Sequence, residues 1–503
     1  MAKYRTTDVA AGQGTFLAIN LKEQLLPGTY EHMLNEIIGT KIDLSIFDKK
    51  YKNDLTGASA VPPSVLLKLI YYGYKNGCIS SRKIYELNNK NITAKALTGD
   101  MEIHWTTIAD FISGNKEEIT EVFVQVLMYC NELGLIGGEN YAIDGLRLPS
   151  NASIDMSGTE EQLKKRLITY KKMAEKHIER HARKDAQGTA DAEAKKRFEK
   201  RQRKINRQIE KISTFLDKMK KREGRSGEEI QSNVTDNKSA IIHSTKGYIQ
   251  GYIGIAVSDQ KSQVITSAQA VGTANEGEHL PLMLDKNNEN IKEAGVTIEE
   301  GKKPTMCGDP NYFSEDNLKA CEERGIEAVI ASGRLPENTG PDGQERYNTN
   351  DFIYHEDEDS YECPYGKRLT NKGTTVLRNG EGKIYQASLT DCRQCPTFSK
   401  CMKSKKAQDE LKQGKKILIS ERSGPESFCN KMRKKLETVE YQDKYANRIQ
   451  IVEPVFANIR YCKGLNRFTL RGEEKVNIQW LLFCMVHNLC KCLNGRNAMK
   501  NAA

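Results

Sequence analysis

The sequence lacks a long hydrophobic run. No segment offers about 18 uninterrupted apolar residues, which is the length that a membrane-spanning helix needs. The first residues, Met1-Ala2-Lys3-Tyr4-Arg5, include two basic side chains and do not begin an apolar signal core. We therefore expect a cytoplasmic protein with no membrane partner.

A disulfide framework is also missing. The chain has 13 cysteines, an odd number, scattered through 503 residues of which 29% are charged. Secreted proteins held together by disulfides are short and carry paired cysteines. We therefore expect most of these thiols to be reduced and to lie in the core. The hydrophobic content of 38% is modest, but the length is enough for several domains of roughly 100 to 200 residues.

The charge balance is mildly basic. The 77 Lys and Arg residues against 67 Asp and Glu leave a net charge of +10. Such an excess favours a polyanionic partner if it is concentrated on one face of the protein. A basic protein without such a patch is the alternative.

Three acidic residues stand in segments that otherwise have the pattern of a core. Asp144 follows an apolar run, Asp309 ends a short strand pattern, and Glu453 directly precedes Pro454. A carboxylate at the end of a buried strand is costly to desolvate unless it binds a cation or a partner. Each acid could instead cap the element that follows it. Three of them converging would hold Mg²⁺ and predict a two-metal site for phosphoryl transfer.

The order of the elements around these acids is the stronger signal. A strand carries Asp144, two strands and a helix follow, a strand ends at Asp309, and a helix, a strand and the helix with Glu453 complete the series. In this order the chain resembles the DDE transposases of bacterial insertion sequences, in the branch with a helical N-terminal domain and a cysteine-bearing insertion before the Glu. The motifs that carry the resemblance are Tyr71-Tyr72-Gly73-Tyr74 with Ser80-Ser81-Arg82-Lys83-Ile84, Ile143-Asp144-Gly145, Gly308-Asp309-Pro310-Asn311-Tyr312-Phe313-Ser314, and Val452-Glu453-Pro454-Val455-Phe456-Ala457-Asn458.

The resemblance implies a mechanism and its cofactors. Asp144 would bridge two Mg²⁺ (or Mn²⁺) ions, and Asp309 and Glu453 would each complete one coordination sphere. The reaction would be hydrolysis at the element ends followed by transesterification into target DNA. Both ends must be joined in one complex, which implies a homodimer or larger assembly on double-stranded DNA. The bacterial cytoplasm, in association with the nucleoid, is the expected location.

The segment around Glu453 departs from the related transposases. Tyr445 and Arg448 resemble the first members of their Tyr, Arg, Glu, Lys signature, but four residues rather than three separate Arg448 from Glu453. Arg460 stands where the usual Lys is found. We expect Glu453 on the first turn of a helix that continues through Arg460, where Pro454 is tolerated. Seven residues are almost two turns, so Arg460 would share a face with Glu453 and reach a DNA phosphate.

The N-terminal region has the pattern of short helices, at residues 63–75, 80–89 and 106–113. The polar face of the middle helix carries Arg82 and Lys83, which is typical of a helix-turn-helix on DNA. A plain helical bundle with a solvated face is the alternative. The resemblance implies that this domain binds the terminal inverted repeats of the element.

A charged stretch in the middle of the chain hides two heptad patterns. The apolar positions are Leu163, Leu167, Tyr170, Ala174, and then Ile205, Ile209, Ile212, Leu216 and Met219. The run Ala186-Gln187-Gly188-Thr189 offers a break where the chain can reverse. We expect an antiparallel helical hairpin that contacts DNA phosphates or a second protomer. A solvated arm without a specific partner is the alternative.

Four cysteines form the second strong motif. Cys363, Cys392, Cys395 and Cys401 are separated by 28, two and five residues, and turn-forming Pro and Gly residues stand beside them. Zn²⁺ prefers tetrahedral thiolates, and a two-residue interval lets one loop present both sulfurs to the same ion. We expect a structural zinc site in a small insertion. Reduced thiols in a loose loop, or a redox pair at Cys392 and Cys395, are the alternatives.

The expected fold class is α/β: an RNase H-like mixed five-stranded sheet with helices, an all-α N-terminal domain, a helical hairpin arm and a small zinc-binding insertion. The expected divisions are 1–135 (helical, DNA-binding), 136–158 (first part of the core), 159–228 (arm), 229–334 (second part of the core), 335–440 (zinc-ribbon-like insertion and linker) and 441–503 (C-terminal part of the core with Glu453). Two other functions stay open. An RNase H-like nuclease would cut without joining, and a domesticated protein would bind DNA without chemistry.

Overall fold

The computed structural model describes residues 20–51, 59–186, 192–224, 227–244, 247–299, 301–333, 346–377, 380–401, 412–420, 424 and 427–502. The helices are α1 (Tyr30–Thr40), α2 (Pro63–Lys75), α3 (Ser81–Lys90), α4 (Ile92–Thr98), α5 (Trp105–Gly114), α6 (Lys116–Glu132), α7 (Glu160–Ala186), α8 (Ala192–Lys218), α9 (Leu280–Glu293), α10 (Glu315–Glu323), α11 (Leu389–Arg393), α12 (Phe398–Cys401), α13 (Phe428–Leu436), α14 (Val439–Ala457) and α15 (Glu473–Ala502). The strands are β1 (Asn140–Pro149), β2 (Ser157–Gly158), β3 (Arg222–Glu223), β4 (Glu229–Ile230), β5 (Ser232–Asn233), β6 (Ala240–Ser244), β7 (Gly247–Asp259), β8 (Ile265–Val271), β9 (Thr305–Gly308), β10 (Glu327–Ile330), β11 (Ile353–His355), β12 (Ser360–Glu362), β13 (Arg368–Leu377), β14 (Gly380–Ala387) and β15 (Lys416–Ser420).

The N-terminal helices agree with the sequence prediction. Helix α2 keeps the predicted bounds, and α3 begins after Ser80, whose side chain accepts a hydrogen bond from the Lys83 amide. These helices share one hydrophobic core with the large sheet. Tyr74 on α2, for example, stacks on Phe483 of α15 with 4.2 Å between the ring centroids. The helical region is therefore fixed to the sheet by buried aromatic packing.

The large sheet is mixed, which confirms the expected α/β class. Its strand order is β10-β9-β1-β7, and both β6 and β8 pair with β7. Strand β1 is antiparallel to β7 and parallel to β9, and β9 is parallel to β10. The sheet has six strands rather than the expected five. The reason is the length of β7, whose first residues pair with β6 while its later residues pair with β8.

Helix α15 closes the sheet at β8. Trp480 is fully buried, and its indole Nε1–H donates to the Ile255 carbonyl at 2.9 Å. Asn477 and Asn488 accept the amide hydrogens of Ala270 and Ile265, each at 2.8 Å, so side-chain oxygens satisfy the edge of this strand. The C-terminal helix is therefore a buried core element. By length and composition α15 could cross a membrane, but 83% of its apolar window is buried inside the protein.

The charged stretch forms the predicted helical hairpin. Helices α7 and α8 pack on each other, with Leu163 and Ile212 fully buried between them. His177 on α7 hydrogen-bonds to Gln202 on α8. Leu163 lies earlier on α7 and Ile212 later on α8, as expected when the two helices run antiparallel. The predicted break at Ala186–Thr189 falls at the end of α7, and its residues 187–189 lie outside the described residues.

A second, smaller sheet lies between β10 and α13 in the chain. Strands β11 to β15 form an antiparallel sheet in sequence order. It has its own apolar cluster around Phe352, Tyr361, Leu369 and Tyr385, separate from the main core. The cysteine-bearing insertion is therefore a small β unit with helices α11 and α12 beside it.

Gly254 provides a test of the packing between the sheet and α15. A Cβ at this position would lie 2.9 Å from the ring of Trp480, whose indole is held by its hydrogen bond. We expect Gly254→Ala to lower the free energy of unfolding by about 1 to 3 kcal/mol. Gly39→Ala in α1 is the matched control, because a Cβ there meets no atom within 4 Å. It should leave stability unchanged or raise it by up to about 1 kcal/mol. Chemical denaturation measures both, and an equal loss in the two variants would contradict this account.

Candidate active site

Asp144 and Asp309 come together because β1 and β9 run parallel. Ile143 of β1 is in register with Gly308 of β9, so Asp144, which continues β1, and Asp309, which follows the end of β9, lie at the same level. Asp144 accepts the Gly145 amide hydrogen at 2.7 Å. The structure therefore places two of the predicted site residues side by side.

Asp309 caps a short 3-10 turn, Pro310–Tyr312. Its Oδ1 accepts the Asn311 amide hydrogen at 3.0 Å, and its Oδ2 accepts the Asn311 side-chain amide at 2.9 Å. The capping role that the sequence suggested and a role in the site therefore coexist in one side chain. The cap holds the carboxylate in place beside Asp144.

A third acid, which the sequence did not predict, joins these two. Glu276 lies at the turn before α9 and is 2% exposed. One carboxylate oxygen from each of Asp144, Glu276 and Asp309 lies within 4.8 Å of the others. Among the residues that the structure describes, this is the only group of three or more His, Cys, Asp or Glu side chains at that spacing.

Two further residues orient Glu276. Its Oε1 accepts a hydrogen bond from Arg147 Nη2 and another from Asn311 Nδ2, each at 2.9 Å. Arg147 comes from β1, three residues after Asp144, and Asn311 follows Asp309 by two residues. The glutamate is therefore held by the same two segments that carry the aspartates.

The pKa values of all three carboxyls are raised. Burial raises the pKa of Asp144 and of Asp309 above its usual range. Burial raises the pKa of Glu276 to about 7, with a further rise from the neighbouring negative charges of Asp144 and Asp309 and an opposing effect from Arg147. Hard oxygen ligands in a partly buried, negatively charged group fit a divalent cation such as Mg²⁺ or Mn²⁺.

Helix α14 lies beside the acids and brings Arg448 to them. Arg448 Nη1 is 3.3 Å from Asp144 Oδ2, and the guanidinium is only 12% exposed. Tyr445 contacts the same guanidinium through its ring, with 5.9 Å to the centroid. Lys444 and Tyr441 on α14 both bond to Glu327 of β10. The residues that resemble the transposase signature therefore face the sheet end where the aspartates lie.

Glu453 does not lie where the sequence predicted. It is exposed, outside the three-acid group, and near the end of the 19-residue helix α14 rather than on a first turn. The helix continues through Pro454 because the missing proline N–H is replaced: the Gln450 carbonyl accepts from Gln263 Nε2 at 2.8 Å. The expected first-turn position was wrong because this distant side chain compensates for the proline.

The remaining predicted DNA contacts lie on other surfaces. Arg460 is half-buried in a π-helical turn, Asn458–Cys462, after α14 has ended, so the seven-residue spacing to Glu453 does not run along one regular helix. Arg82 and Lys83 are exposed on α3, and the guanidinium of Arg82 lies 4.7 Å from the Trp105 ring centroid.

The four cysteines are neighbours in the small β unit. Cys363 follows β12, Cys392 lies in α11, and Cys401 in α12. Backbone amides donate to two of the sulfurs, from Lys367 to Cys363 and from Lys415 to Cys392, each at 3.3 Å. Burial raises the pKa of Cys401 to about 11, with smaller rises from the other three thiols.

Two family models match the chain. One, described as Transposase DDE domain, matches residues 362–493, and the other, described as Transposase domain (DUF772), matches residues 20–114. The two matches indicate an insertion-sequence DDE transposase. No curated protein matches the chain. The first match includes Glu453 and the four cysteines, and the second includes Arg82 and Lys83.

A DDE domain has consequences for chemistry. It implies a metal-dependent polynucleotidyl transferase with DNA as its substrate, and such enzymes usually use divalent metals. The carboxylates of Asp144, Glu276 and Asp309 offer a possible metal site of suitable chemistry. Asp144 and Asp309 lie outside both matched ranges, so their geometry is evidence independent of the matches.

Because Glu276 is buried, we expect the free energy of unfolding of the metal-free protein to depend on pH. A pKa that rises from 4.5 to about 7 on folding corresponds to about 3 kcal/mol. When folding raises the pKa of an acid, the protein is most stable below the pKa of the unfolded state. The free energy of unfolding then falls as the pH rises through the pKa of the folded state. In chelator, wild type should therefore lose stability relative to Glu276→Gln between pH 5 and pH 8. Chemical denaturation at both pH values measures this, and a difference that does not change with pH would refute it. Glu278→Gln, in the same turn but exposed, should show no such change.

Proposed function

We propose that this chain binds the terminal inverted repeats of an insertion sequence, cleaves DNA at the element ends and joins them to target DNA by Mg²⁺-dependent phosphoryl transfer. The observation that carries the proposal is that Asp144 of β1 and Asp309 after β9 meet, through the parallel register of these strands, in one acidic group. That pair lies in a chain whose N-terminal and C-terminal regions both match transposase families.

The order of the strands supports an RNase H-like core. The first three long strands along the chain, β1, β7 and β8, are antiparallel neighbours, and β9 and β10 then join in parallel on the other side of β1. Sites in open α/β sheets form at the carboxyl ends of parallel strands, where Asp309 lies. The sheet therefore supplies a rigid base for the proposed catalytic acids.

In the proposed mechanism, Asp144 would bind both ions of a two-metal site, and Asp309 and Glu453 would each complete one coordination sphere. When bound, two Mg²⁺ (or Mn²⁺) ions activate the attacking water or 3′ hydroxyl and stabilise the leaving oxygen. Arg448 already lies against Asp144, and its planar donors suit a phosphate oxygen. We assign Arg448, Tyr445 and Arg460 to contacts with the DNA end.

The other parts of the chain would bind and arrange DNA. We assign residues 1–135, with Arg82 and Lys83, to the element ends, and the arm at 159–228 to DNA phosphates or a second protomer. Helix α8 supports this, because its exposed face carries a row of basic side chains: Lys196, Lys200, Arg203, Lys204, Arg207 and Lys211. Both ends must meet in one complex, so we propose at least a homodimer on DNA. A transposase of this kind acts at the bacterial nucleoid in the cytoplasm.

The test is cleavage and joining of labelled element-end DNA with Mg²⁺ and the full chain. Asp144→Ala, Asp309→Ala and Glu453→Ala should each keep DNA binding but slow both reactions by about 1,000-fold or more, because several kcal/mol of charge stabilisation would be lost. Asp443→Ala is the matched control for Glu453, since Asp443 is also exposed on α14, and it should react like wild type.

The outcomes separate the rival functions. Cleavage without joining by wild type would indicate a nuclease. DNA binding without any cleavage would indicate a silent DNA-binding protein. Glu453→Ala with wild-type rates would remove Glu453 from the proposed triad, while leaving Asp144 and Asp309 in place.

We further propose that Cys363, Cys392, Cys395 and Cys401 hold a structural Zn²⁺ in the insertion at 335–440. Two observations support this: neighbouring thiols contribute to the raised pKa of Cys392 and of Cys401, and backbone amides donate to the sulfurs of Cys363 and Cys392. Donors to sulfur favour the thiolate form that binds zinc. The ion would stabilise a small unit with a limited core.

Metal analysis of purified protein tests the zinc proposal. Wild type should contain about one zinc ion per chain, and Cys392→Ser and Cys395→Ser should lose it and become sensitive to proteolysis between residues 346 and 420. Cys462→Ser is the matched control, because Cys462 is exposed and outside this unit, and it should keep the metal. Wild-type protein without zinc would overturn the assignment.

A further inference from the structure

Glu276 is a buried acid that the proposed mechanism does not use. Only one of its two oxygens is satisfied: Oε1 accepts from Arg147 and Asn311, whereas Oε2 is buried without a hydrogen-bond partner. Leaving a buried carboxylate oxygen without a donor is costly. Oε2 therefore needs a hydrogen-bond donor or a cation, and the described residues do not supply one.

The unpartnered oxygen lies inside the acidic group. Glu276 Oε2 lies so close to Gly145 that a Cβ at Gly145 would overlap with it, and Gly145 directly follows Asp144. In an octahedral Mg²⁺ site with bonds of about 2.1 Å, opposite ligands lie about 4.2 Å apart. One carboxylate oxygen from each of Asp144, Glu276 and Asp309 lies within 4.8 Å of the other two. This distance is close to the spacing between ligand oxygens around one ion.

The local charge also favours a cation. Three carboxylates meet here, and the two guanidinium groups that contact them, Arg147 and Arg448, each bond to only one oxygen of one acid. With all three acids ionised the group carries one more negative charge than positive charge. A divalent cation would satisfy both this excess and the unpartnered oxygen.

We propose that Glu276 is a ligand of the divalent cation that Asp144 and Asp309 hold, and that the chain binds this ion before DNA is present. The inference rests on the proposed function, because it adds one ligand to the site assigned there. Glu453 is exposed and outside the group, so Glu276 is the third protein carboxylate for this ion in the free chain. Arg147 and Asn311 position it through Oε1.

A purely positioning role makes a different prediction. If Glu276 only held Arg147 and Asn311, a glutamine would serve equally well, because its amide oxygen accepts the same two hydrogen bonds. Glu276→Gln removes the charge and one ligand oxygen while keeping the shape of the side chain. This substitution therefore separates a ligand from a positioning residue.

The first experiment is a Mn²⁺ titration of the full chain without DNA, with free Mn²⁺ measured by electron paramagnetic resonance. Wild type should bind Mn²⁺, and Glu276→Gln should raise the Kd by at least about tenfold. Glu278→Gln, in the same turn but exposed, should bind like wild type, and Asp144→Asn should bind weakly. Equal affinity of Glu276→Gln and wild type, or no binding by wild type, would overturn the proposal.

A second measurement needs no variant, and it decides the matter if Glu276→Gln fails to fold. Fe²⁺ with ascorbate and peroxide cuts the backbone next to a bound metal ion. Wild type should be cut near residues 144, 276 and 309, and excess Mg²⁺ should suppress the cuts. Cuts near 144 and 309 without one near 276, or no cuts at all, would overturn the proposal.

These readouts distinguish the inference from the function on which it rests. If wild type cleaves and joins DNA but Glu276→Gln binds Mn²⁺ normally, the ligand assignment is wrong and the transposase function stands. If Glu276→Gln loses Mn²⁺ but wild type never cleaves DNA, the metal site stands and the proposed function is wrong.

Discussion

The burial of negative charge at the end of β9, beside the middle of β1, is the constraint on which the rest of the site depends. The parallel register of these strands forces Asp144 and Asp309 to emerge together, and each carboxyl is shifted toward its neutral form by burial. The surrounding contacts compensate for part of this cost. Arg448 bonds to Asp144, and Asn311 bonds to Asp309 and Glu276. These contacts tie α14 and the turn after β9 to the acids.

Two glycines make the close packing around the acids feasible. Gly145 leaves room for the Glu276 carboxylate, and at Gly277 a Cβ would overlap with the Asn311 carbonyl. The turn before α9 therefore packs with its backbone directly against the turn after β9. Any side chain at these two positions would push Glu276 away from Asp144 and Asp309. The three-acid group thus depends on the absence of a Cβ as much as on the acids themselves.

The sequence was informative wherever the signal was local. Periodicity predicted the arm helices, and stop and cap residues predicted α2 and α3. The sequence did not predict Glu276 as a site residue because this residue lies in a polar turn without an apolar residue on either side. Its partners, Arg147 and Asn311, are 129 and 35 residues away. The sequence also did not predict where α14 starts, because Gln263, from another part of the chain, compensates for Pro454. Interactions between distant residues leave no pattern in one sequence.

Helix α14 divides the acids of this site into two classes. Val452 and Val455 are fully buried against the sheet, and burial of such side chains contributes about 1.5 to 3 kcal/mol each. Partly exposed ion pairs such as Lys444 with Glu327 contribute roughly 1 kcal/mol or less. Apolar packing therefore sets the rotation of α14. With Val452 turned inward, Glu453 is turned outward, so the fold itself separates one exposed acid from the three that meet beside the sheet.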